Sequence, residues 1–263
     1  MDTTLLLVLI GAASGIFSGF LAGLLGIGGG VILVPLLYFS FRLLFPSLEE
    51  SMKFAVATAL ATAVVASLVS SLIHKKGESI LPAYLKFLIP TLLLGSISGA
   101  FLAARLPDEL LRQLFGCLAI GIGIYFLFPK LKLELGTKPN FLLSFSGLII
   151  GHLSSLLGSG GGIFTLPILF GYPISAKNAV ATSSVATFFT SLTGTILYLV
   201  LPSGDATLAH SIGWINLPAF FSISIASLFS VKFGSKLATT LQIDVIKRIF
   251  GVFLILTGVE FLI

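Results

Sequence analysis

Two glycine runs are the stretches of this chain that could bind a ligand through the backbone. The first is Gly26-Ile27-Gly28-Gly29-Gly30, the second is Gly158-Ser159-Gly160-Gly161-Gly162, and a proline follows each run by five residues. Glycine lets another group approach the main chain closely. A break in a membrane helix also frees N–H and C=O groups, which only protein or a water-filled cavity can satisfy. The two runs therefore predict a site where backbone N–H groups bind a small anion.

A helix is predicted to begin after each run, and its first turn is the part that could hold the anion. Val31 and Ile163 would begin these helices, and a helix N-terminus carries about half a positive charge together with unpaired N–H donors. If the two N-termini converge, the substrate-binding residues are Gly28, Gly29, Gly30, Ser159, Gly160, Gly161 and Gly162. The alternative is close helix packing, which we assign to Gly15, Gly19, Gly147 and Gly151.

Hydroxyl side chains near the starts of two later helices could complete such a site. Thr58, Thr182 and Ser183 occupy these positions, and Asn178 adds an amide donor in the second half only. A hydroxyl can donate a hydrogen bond to an oxyanion without bringing a fixed charge to membrane depth. Alternatively these residues cap helices or bond to the preceding turn, and the sequence does not choose between the two roles.

Two lysines and one histidine are the ionisable candidates. Lys53 and Lys177 could attract an anion, although positions at the membrane interface explain them more simply. His152 is the one histidine at predicted membrane depth, where it could carry a proton with the substrate. We favour a hydrogen-bonded contact between helices for His152, because its counterpart in the repeat described below is Phe20.

The composition excludes a soluble protein. Of 263 residues, 56% are hydrophobic and 10% charged, and the mean hydropathy of +1.13 is typical of a membrane protein with several spans. The formal charge of +5 then indicates basic loops that face anionic lipid, not nucleic-acid binding. The single cysteine, Cys117, offers no intrachain disulfide and no metal-site spacing, and no catalytic motif is present. We expect no metal, no cofactor and no enzyme activity.

Eight apolar segments approach the roughly 20 residues that span a bilayer. They cover residues 5–25, 54–73, 84–104, 110–128, 141–157, 179–201, 212–233 and 246–263. Two shorter pieces, 31–41 and 163–170, follow the glycine runs and are predicted to be half-helices. We therefore predict one transmembrane domain over residues 1–263, an all-α integral membrane protein with about eight transmembrane helices and two half-helices.

The two halves of the chain, about residues 5–128 and 141–263, repeat each other in order. Gly15, Gly19 and Gly26 match Gly147, Gly151 and Gly158. Further along, the matches are Lys53-Phe54-Ala55-Val56-Ala57-Thr58 with Lys177-Asn178-Ala179-Val180-Ala181-Thr182, Leu81-Pro82-Ala83 with Leu217-Pro218-Ala219, and Leu114-Phe115-Gly116 with Ile249-Phe250-Gly251.

The basic residues predict how these repeats lie in the membrane. If each half-helix returns across the bilayer with the helix before it, only four of the 15 basic residues lie on one side: Arg42, Lys53, Arg105 and Arg112. If each half-helix merely completes one crossing, the division is 9 to 6. The first arrangement fits better, and it predicts two inverted repeats with both termini in the periplasm.

These duplicated motifs resemble the sulfite exporter TauE/SafE family of membrane transporters. The G-x-G-G-G-x-x-x-x-P-x-L pattern, the K-x-A-V-A-T segments and the L-P-A helices carry the resemblance over essentially the whole chain. It implies a bacterial-type inner-membrane carrier of small anions that often contain sulfur, such as sulfite, thiosulfate or sulfoacetate. The second half, with Asn178, Thr182 and Ser183, is closer to the family pattern and is expected to supply more ligands.

We thus expect a secondary transporter of a small sulfur-containing anion such as sulfite or an organosulfonate, with export as the expected direction and alternating access as the mechanism. The alternatives are a transporter of another small anion or carboxylate, and a non-transporting membrane subunit. The expected partners are the anionic substrate and the lipid bilayer, with a homodimer as one candidate assembly and no nucleic acid.

Overall fold

The computed structural model describes residues 3–25, 29–75, 79–128, 135–203, 208–237 and 243–263. Within these ranges the chain forms ten helices, which correspond to the ten predicted apolar segments. They are α1 (Thr3–Leu25), α2 (Gly30–Leu44), α3 (Ser51–Lys75), α4 (Pro82–Arg105), α5 (Asp108–Leu127), α6 (Phe141–Leu157), α7 (Gly162–Leu169), α8 (Ala176–Val200), α9 (Leu217–Leu237) and α10 (Ile243–Leu262).

A small antiparallel hairpin precedes α9 and corrects one predicted boundary. Its strands are β1 (Ser211–Ile212) and β2 (Ile215–Asn216), joined by a turn in which Gly213 has a φ of 55°. The apolar segment predicted over 212–233 therefore begins as a hairpin, and its helix starts only at Leu217. Glycine permits the turn at position 213, because a residue with a side chain would be strained in this left-handed backbone conformation.

Six helices in the described ranges are long and apolar enough to span a bilayer: α1, α3, α4, α5, α8 and α9. The helix α6 has 17 residues and is slightly shorter, and the predicted count of eight spans stays a prediction. By the helical rise of 1.5 Å per residue, α2 is about 22 Å long and α7 about 12 Å. Both are shorter than the roughly 30 Å hydrocarbon core, which agrees with the prediction of half-helices at these two positions.

The helix α3 forms the centre of the fold. Every residue from Ser51 to Ala63 is buried, and this part of the chain packs against α2, α8, α9 and β2. The outer helices instead expose large apolar side chains, including Leu94, Phe145 and Phe229. Such exposed apolar faces are what a bilayer covers with lipid, whereas water would make them costly.

Glycines bring the outer helices into close contact with their partners. The helix α1 packs on α9, where a Cβ atom at Gly15 would lie 2.5 Å from the carbonyl oxygen of Ile223. The helix α4 packs on α6 in the same manner, with Gly147 facing the side chain of Thr91 and Gly151 facing the carbonyl of Leu92. The packing role predicted for the Gly-x-x-x-Gly pairs is therefore confirmed, because any side chain here would strike the neighbouring helix.

The last helices of the two halves, α5 and α10, cross each other in antiparallel directions. Gly116 in α5 faces the carbonyl of Gly258, and Gly123, two turns further on, faces the carbonyl of Gly251. Contacts that run forward along one helix and backward along the other define an antiparallel pair. The sequence repeat aligns Gly116 with Gly251, so each of these two contacts is the counterpart of the other.

Two glycines of α5 offer a matched test of this contact. We expect Gly123→Ala to destabilise the protein by about 1–3 kcal/mol, because its methyl group would meet the backbone of α10. Gly121→Ala, two residues away, has no described atom within 4 Å of the added methyl group. It should leave stability unchanged or raise it by up to about 1 kcal/mol. Thermal unfolding of the two variants in detergent measures the difference, and equal melting temperatures would contradict the packing described.

Candidate functional site

The two glycine runs meet at the backbone, which is the central feature of the candidate site. The N-cap residues of α2 and α7 are Gly29 and Gly161, with left-handed φ angles of 72° and 95°. A Cβ atom at Gly30 would lie 2.5 Å from the carbonyl oxygen of Gly158, so only glycine fits at this contact. Gly28 lies outside the described residues. The helices begin at Gly30 and Gly162, one residue earlier than predicted.

Three buried serine hydroxyls surround the second glycine run. Ser154, Ser159 and Ser191 are at most 1% exposed, and their hydroxyl oxygens have no hydrogen-bond partner among the described residues. A Cβ atom at Gly160 would lie 2.8 Å from Oγ of Ser191, and one at Gly161 would lie 3.1 Å from Oγ of Ser154. These hydroxyls therefore line the same backbone turn. We call Ser154, Ser159, Gly160, Gly161 and Ser191 the polar half-site.

The N-terminus of α7 adds backbone donors to the polar half-site. The carbonyl of Gly161 accepts from the N–H groups of Phe164 and Thr165 at 3.1 and 2.9 Å, which starts the helix. The N–H groups of Gly162 and Ile163 precede these bonds and have no acceptor within the helix. Hydroxyl and N–H donors thus gather at the positive end of a helix dipole. This arrangement suits a small anion, whose oxygens can accept from several donors at once.

A neighbouring serine and a second turn of α8 extend the hydroxyl cluster. Ser155 is buried with no hydroxyl partner in the described ranges, and its Oγ would lie 2.9 Å from a Cβ atom at Gly194. The methyl groups of Thr187 and Thr190 approach Gly160 and Gly161 from the same helix. Of these serines and threonines, the sequence predicts only Ser159. Thr187, Ser191 and Gly194 follow each other along α8 at the helical period, and this spacing could have identified the face.

The predicted hydroxyls Thr58 and Thr182 hold the fold together at equivalent positions. The Thr58 oxygen accepts from the backbone N–H of Asn216, and the Thr182 oxygen accepts from that of Leu81, both at 3.1 Å. Each bond joins a central helix to the chain just before a helix of the other half. Ser183 is different, because its hydroxyl is fully buried and has no partner in the described part of the chain.

Lys53 lies in a contact network that balances its charge. Its ammonium group forms a salt bridge with Glu50 at 2.9 Å and lies 5.2 Å from the ring centre of Trp214. Beside it, the carboxylate of Asp108 accepts from the N–H groups of Met52 and Lys53 at 3.0 Å and caps α3. Lys53 is therefore engaged within the protein and only 5% exposed.

The equivalent residues of the second half are nearer the surface. Lys177 is exposed, and Asn178 is half-buried in the first turn of α8, where its N–H donates to the hydroxyl of Ser175. Ser175 is thus a local cap for α8, in the role that Asp108 takes for α3. Neither Lys177 nor Asn178 contacts the glycine runs through a hydrogen bond in the described structure.

His152 lies in the contact between α4 and α6. Its Nδ1 is 2.8 Å from the hydroxyl of Ser98, and the backbone around it packs against Gly95 and Gly99. This is the position that the helix-contact interpretation predicts. The structure does not bring His152 together with the polar half-site through any hydrogen bond between described residues.

Two shallow clefts lie near the glycine runs. The first is lined by Ala22, Gly29, Ala63 and Ala66 among others. The second shares Ala22 and Ala66 with the first and extends to Thr187. Ala63 and Thr187 would lie 3.2 and 3.3 Å from a Cβ atom at Gly160.

The chain is similar over nearly its whole length to known membrane transporters. It is 30% identical over 259 residues to a probable membrane transporter protein of Haemophilus influenzae, which covers 97% of each chain. It is also 30% identical over 226 residues to one of Methanocaldococcus jannaschii, covering 85% of this chain and 83% of the relative. The probable membrane transporter protein YunE of Bacillus subtilis is 24% identical, with 94% of each chain covered.

No solved structure shows a significant match to this chain. A family model does match, over residues 11–261, and it describes the sulfite exporter TauE/SafE family. The match includes both glycine runs, both central helices and the hydroxyl cluster. Together with the relatives that match from end to end, it establishes that this chain belongs to the sulfite exporter TauE/SafE family of membrane transporters.

Proposed function

We propose that this membrane transporter carries a small sulfur-containing oxyanion, such as sulfite or an organosulfonate, and binds it at the polar half-site. The observation that carries the proposal is the group of buried, unpartnered hydroxyls of Ser154, Ser159 and Ser191 at the N-terminus of α7, as the described residues show them. An unsatisfied buried hydroxyl costs about 1–3 kcal/mol. A bound oxyanion would remove this cost for several hydroxyls together. The family description names sulfite export, which favours a sulfur oxyanion over another small anion.

Neutral donors also suit the requirement that a carrier release its substrate. A fixed Lys or Arg at the centre of a membrane helix costs about 2.5–3.5 kcal/mol on insertion scales. The residues of the polar half-site carry no charge, so the site avoids this cost and binds the anion through hydrogen bonds alone. The buried cation of α3, Lys53, is neutralised by Glu50. Moderate affinity is the expected consequence.

Alternating access between two inverted repeats is the mechanism we propose for transport. The antiparallel crossing of α5 and α10, which are corresponding helices of the two halves, supports it. A two-fold rotation makes two corresponding helices antiparallel only if the rotation axis is perpendicular to them. For helices that span the bilayer, that axis lies in the membrane plane. Two further helix pairs follow the same repeat. The helix α1 packs on α9, and their counterparts in the other half, α6 and α4, pack on each other.

Removing two of the unpartnered hydroxyls should separate binding from stability. We expect Ser154→Ala and Ser191→Ala each to weaken sulfite binding by about 1.5–3 kcal/mol, the value of a hydrogen bond to a charged group. Stability without substrate should stay the same or rise, because an unsatisfied polar group is removed. Titration calorimetry and sulfite flux in proteoliposomes measure the first effect, and thermal unfolding measures the second.

Ser40→Ala is the matched control for these variants, because its buried hydroxyl donates to the carbonyl of Leu36 on its own helix. It should leave sulfite binding unchanged. If the Ser154→Ala and Ser191→Ala variants bind sulfite with wild-type affinity, the polar half-site is not the binding site. If wild-type protein binds acetate or another carboxylate but no sulfur oxyanion, the transporter carries a different small anion.

Thr58→Val should lower stability and leave sulfite binding nearly unchanged, which is the reverse of the result expected for the serine variants. The buried N–H of Asn216 would lose its acceptor, so we expect a loss of stability of about 1–3 kcal/mol. Sulfite affinity of the folded protein should change by less than about twofold, because this oxygen already accepts a backbone hydrogen bond. Thermal unfolding and calorimetry on one preparation compare the two quantities. If the variant is as stable as wild type but does not bind sulfite, Thr58 belongs to the binding site.

Orientation in the inner membrane distinguishes inverted repeats from parallel ones. Inverted repeats have an odd number of crossings each, so the link between the halves and the C-terminus lie on opposite sides. We expect a reporter fused at Lys138 to be cytoplasmic and one fused at Ile263 to be periplasmic. Alkaline phosphatase and green fluorescent protein fusions measure this directly. Both reporters on the same side would exclude the inverted arrangement.

A further inference from the structure

A groove of about 420 Å³ lies between α5, α6 and α7. Of the twelve described residues that line it, only Tyr125 and Ser146 have a polar side chain. The hydroxyl of Ser146 already donates to the carbonyl of Leu142 on its own helix. The volume is within the range of sites that bind small ligands, and the lining suits hydrocarbon.

A glycine of α5 keeps this groove open. Gly121 is exposed, and a Cβ atom added to it would have no described atom within 4 Å. The repeat that aligns Gly116 with Gly251 pairs Gly121 with Leu256 of α10. The open space beside α5 therefore exists because this helix lacks the large side chain that its counterpart carries.

The groove has the length and the position of one leaflet of the bilayer. Along α5 it extends from Leu118, the eleventh of 20 residues, to Tyr125, two residues before the helix ends. By the helical rise this distance is about 10 Å, which fits within the roughly 15 Å of hydrocarbon in one leaflet. Ile149 in the groove wall and the nearby Phe145 are exposed. The groove is therefore continuous with the lipid-facing surface, where acyl chains reach it.

Hydrogen bonds fix the segment between the halves at one end of the groove. The N–H of Leu135 donates at 2.9 Å to the carbonyl of Gly171, just beyond the end of α7. Asn140 accepts from the hydroxyl of Tyr172 at 3.0 Å and donates to the carbonyl of Leu135 at 3.1 Å. Lys138 lies between these contacts and is exposed. A cation is thus held where α7 ends and α6 begins.

The surrounding sequence makes this end of the groove positive. Residues 128–140, which join the halves, contain three lysines and one glutamate. Residues 170–178, between α7 and the first turn of α8, contain Lys177 and no acidic residue. Tyr125 lies near this end of α5, and tyrosine favours the boundary between hydrocarbon and headgroups. Basic sites at the ends of membrane helices attract anionic headgroups, so the charge selects an anionic lipid.

We infer that this groove binds one acyl chain of an anionic phospholipid, such as phosphatidylglycerol, whose phosphate group lies at the basic end beside Lys138. The bound chain packs against Ile163 and Phe164 in the first turn of α7. It thereby supports the outer side of the helix whose N-terminus contributes to the polar half-site. The lipid is a ligand in addition to the transported anion.

Native mass spectrometry of the purified protein in detergent tests this inference by lipid titration. The probes are dioleoyl phosphatidylglycerol and dioleoyl phosphatidylcholine, which have the same chains and differ in net charge. We expect one phosphatidylglycerol per chain, bound about fivefold or more tightly than phosphatidylcholine, as for one lysine close to the phosphate. Lys138→Gln should weaken phosphatidylglycerol binding by about fivefold and leave phosphatidylcholine binding unchanged.

Two variants that fill the groove test the position of the acyl chain. Gly121→Leu introduces the side chain that the repeat has at Leu256, and it should weaken binding of both lipids by about tenfold or more. Ser146→Leu fills the groove from α6 and should have the same effect, so the result does not depend on the folding of one variant. Leu256→Phe is the matched control, because it adds bulk at the equivalent exposed position of α10. It should leave both affinities unchanged.

Three outcomes would overturn the inference. The first is wild-type affinity for phosphatidylglycerol in both groove variants. The second is equal affinity of the wild-type protein for the two lipids, unaffected by Lys138→Gln. The third is a wild-type dimer that Gly121→Leu converts to monomers, since the groove is then an interface between two copies of this chain. These measurements contain no sulfite, so their failure would leave the proposed function standing, and a failure of the proposed function would leave the lipid site standing.

Discussion

The backbone contact between the two glycine runs is the constraint on which the rest of the structure depends. Breaking a helix inside a bilayer frees polar groups that lipid cannot satisfy. This protein buries one break against the other, with Gly30 seated on the carbonyl of Gly158. Such an arrangement needs glycine on both sides and small residues on the helices around them. The central helices α3 and α8 meet this requirement through Ala63 and Thr187.

Hydroxyl groups in the described part of this protein divide into those with a hydrogen-bond partner and those without one. Most intramembrane serines and threonines donate to a carbonyl one turn earlier on their own helix, as Ser227 and Thr190 do. The oxygens of Thr58 and Thr182 join the halves. Within the described ranges, the serines at the second glycine run do neither, although burial makes their isolation costly. Stability therefore does not explain them, and ligand binding is the role that we propose for them.

The sequence was sufficient for the helices and the position of the breaks. Hydropathy identifies an apolar segment at each of the ten described helices, and the φ angles of Gly29 and Gly161 are ones that glycine favours. The hydroxyls of the polar half-site were harder to identify. Ser154 and Ser191 lie within helices, where a serine normally bonds to its own turn, and only the packed structure shows that their hydroxyls have no partner among the described residues. Local patterns do not contain that information.

Tertiary contacts also explain why other features differ from the sequence-based expectation. Lys53 looks like a free interfacial cation in the sequence, but the hairpin before α9 places Trp214 beside it and Glu50 pairs with it. The hairpin itself is hidden in the sequence because Ile212 and Ile215 continue the apolar run of α9. Each difference thus arises where distant segments meet. The repeat gives no guidance, because Trp214 is the one tryptophan of the chain and has no tryptophan counterpart in the first half.

That hairpin has a thermodynamic consequence for the transport cycle. In a carrier whose two halves exchange conformations, perfect symmetry would make the inward-facing and outward-facing states equal in free energy. The hairpin places Trp214 against Phe54, and Trp214 is the one tryptophan of the chain, so the first half has no tryptophan to make the counterpart of this contact. Under the alternating access proposed above, such a contact would stabilise one end state more than the other. Because each 1.4 kcal/mol is about a tenfold population ratio, a single buried contact is enough to give the empty transporter a preferred resting side.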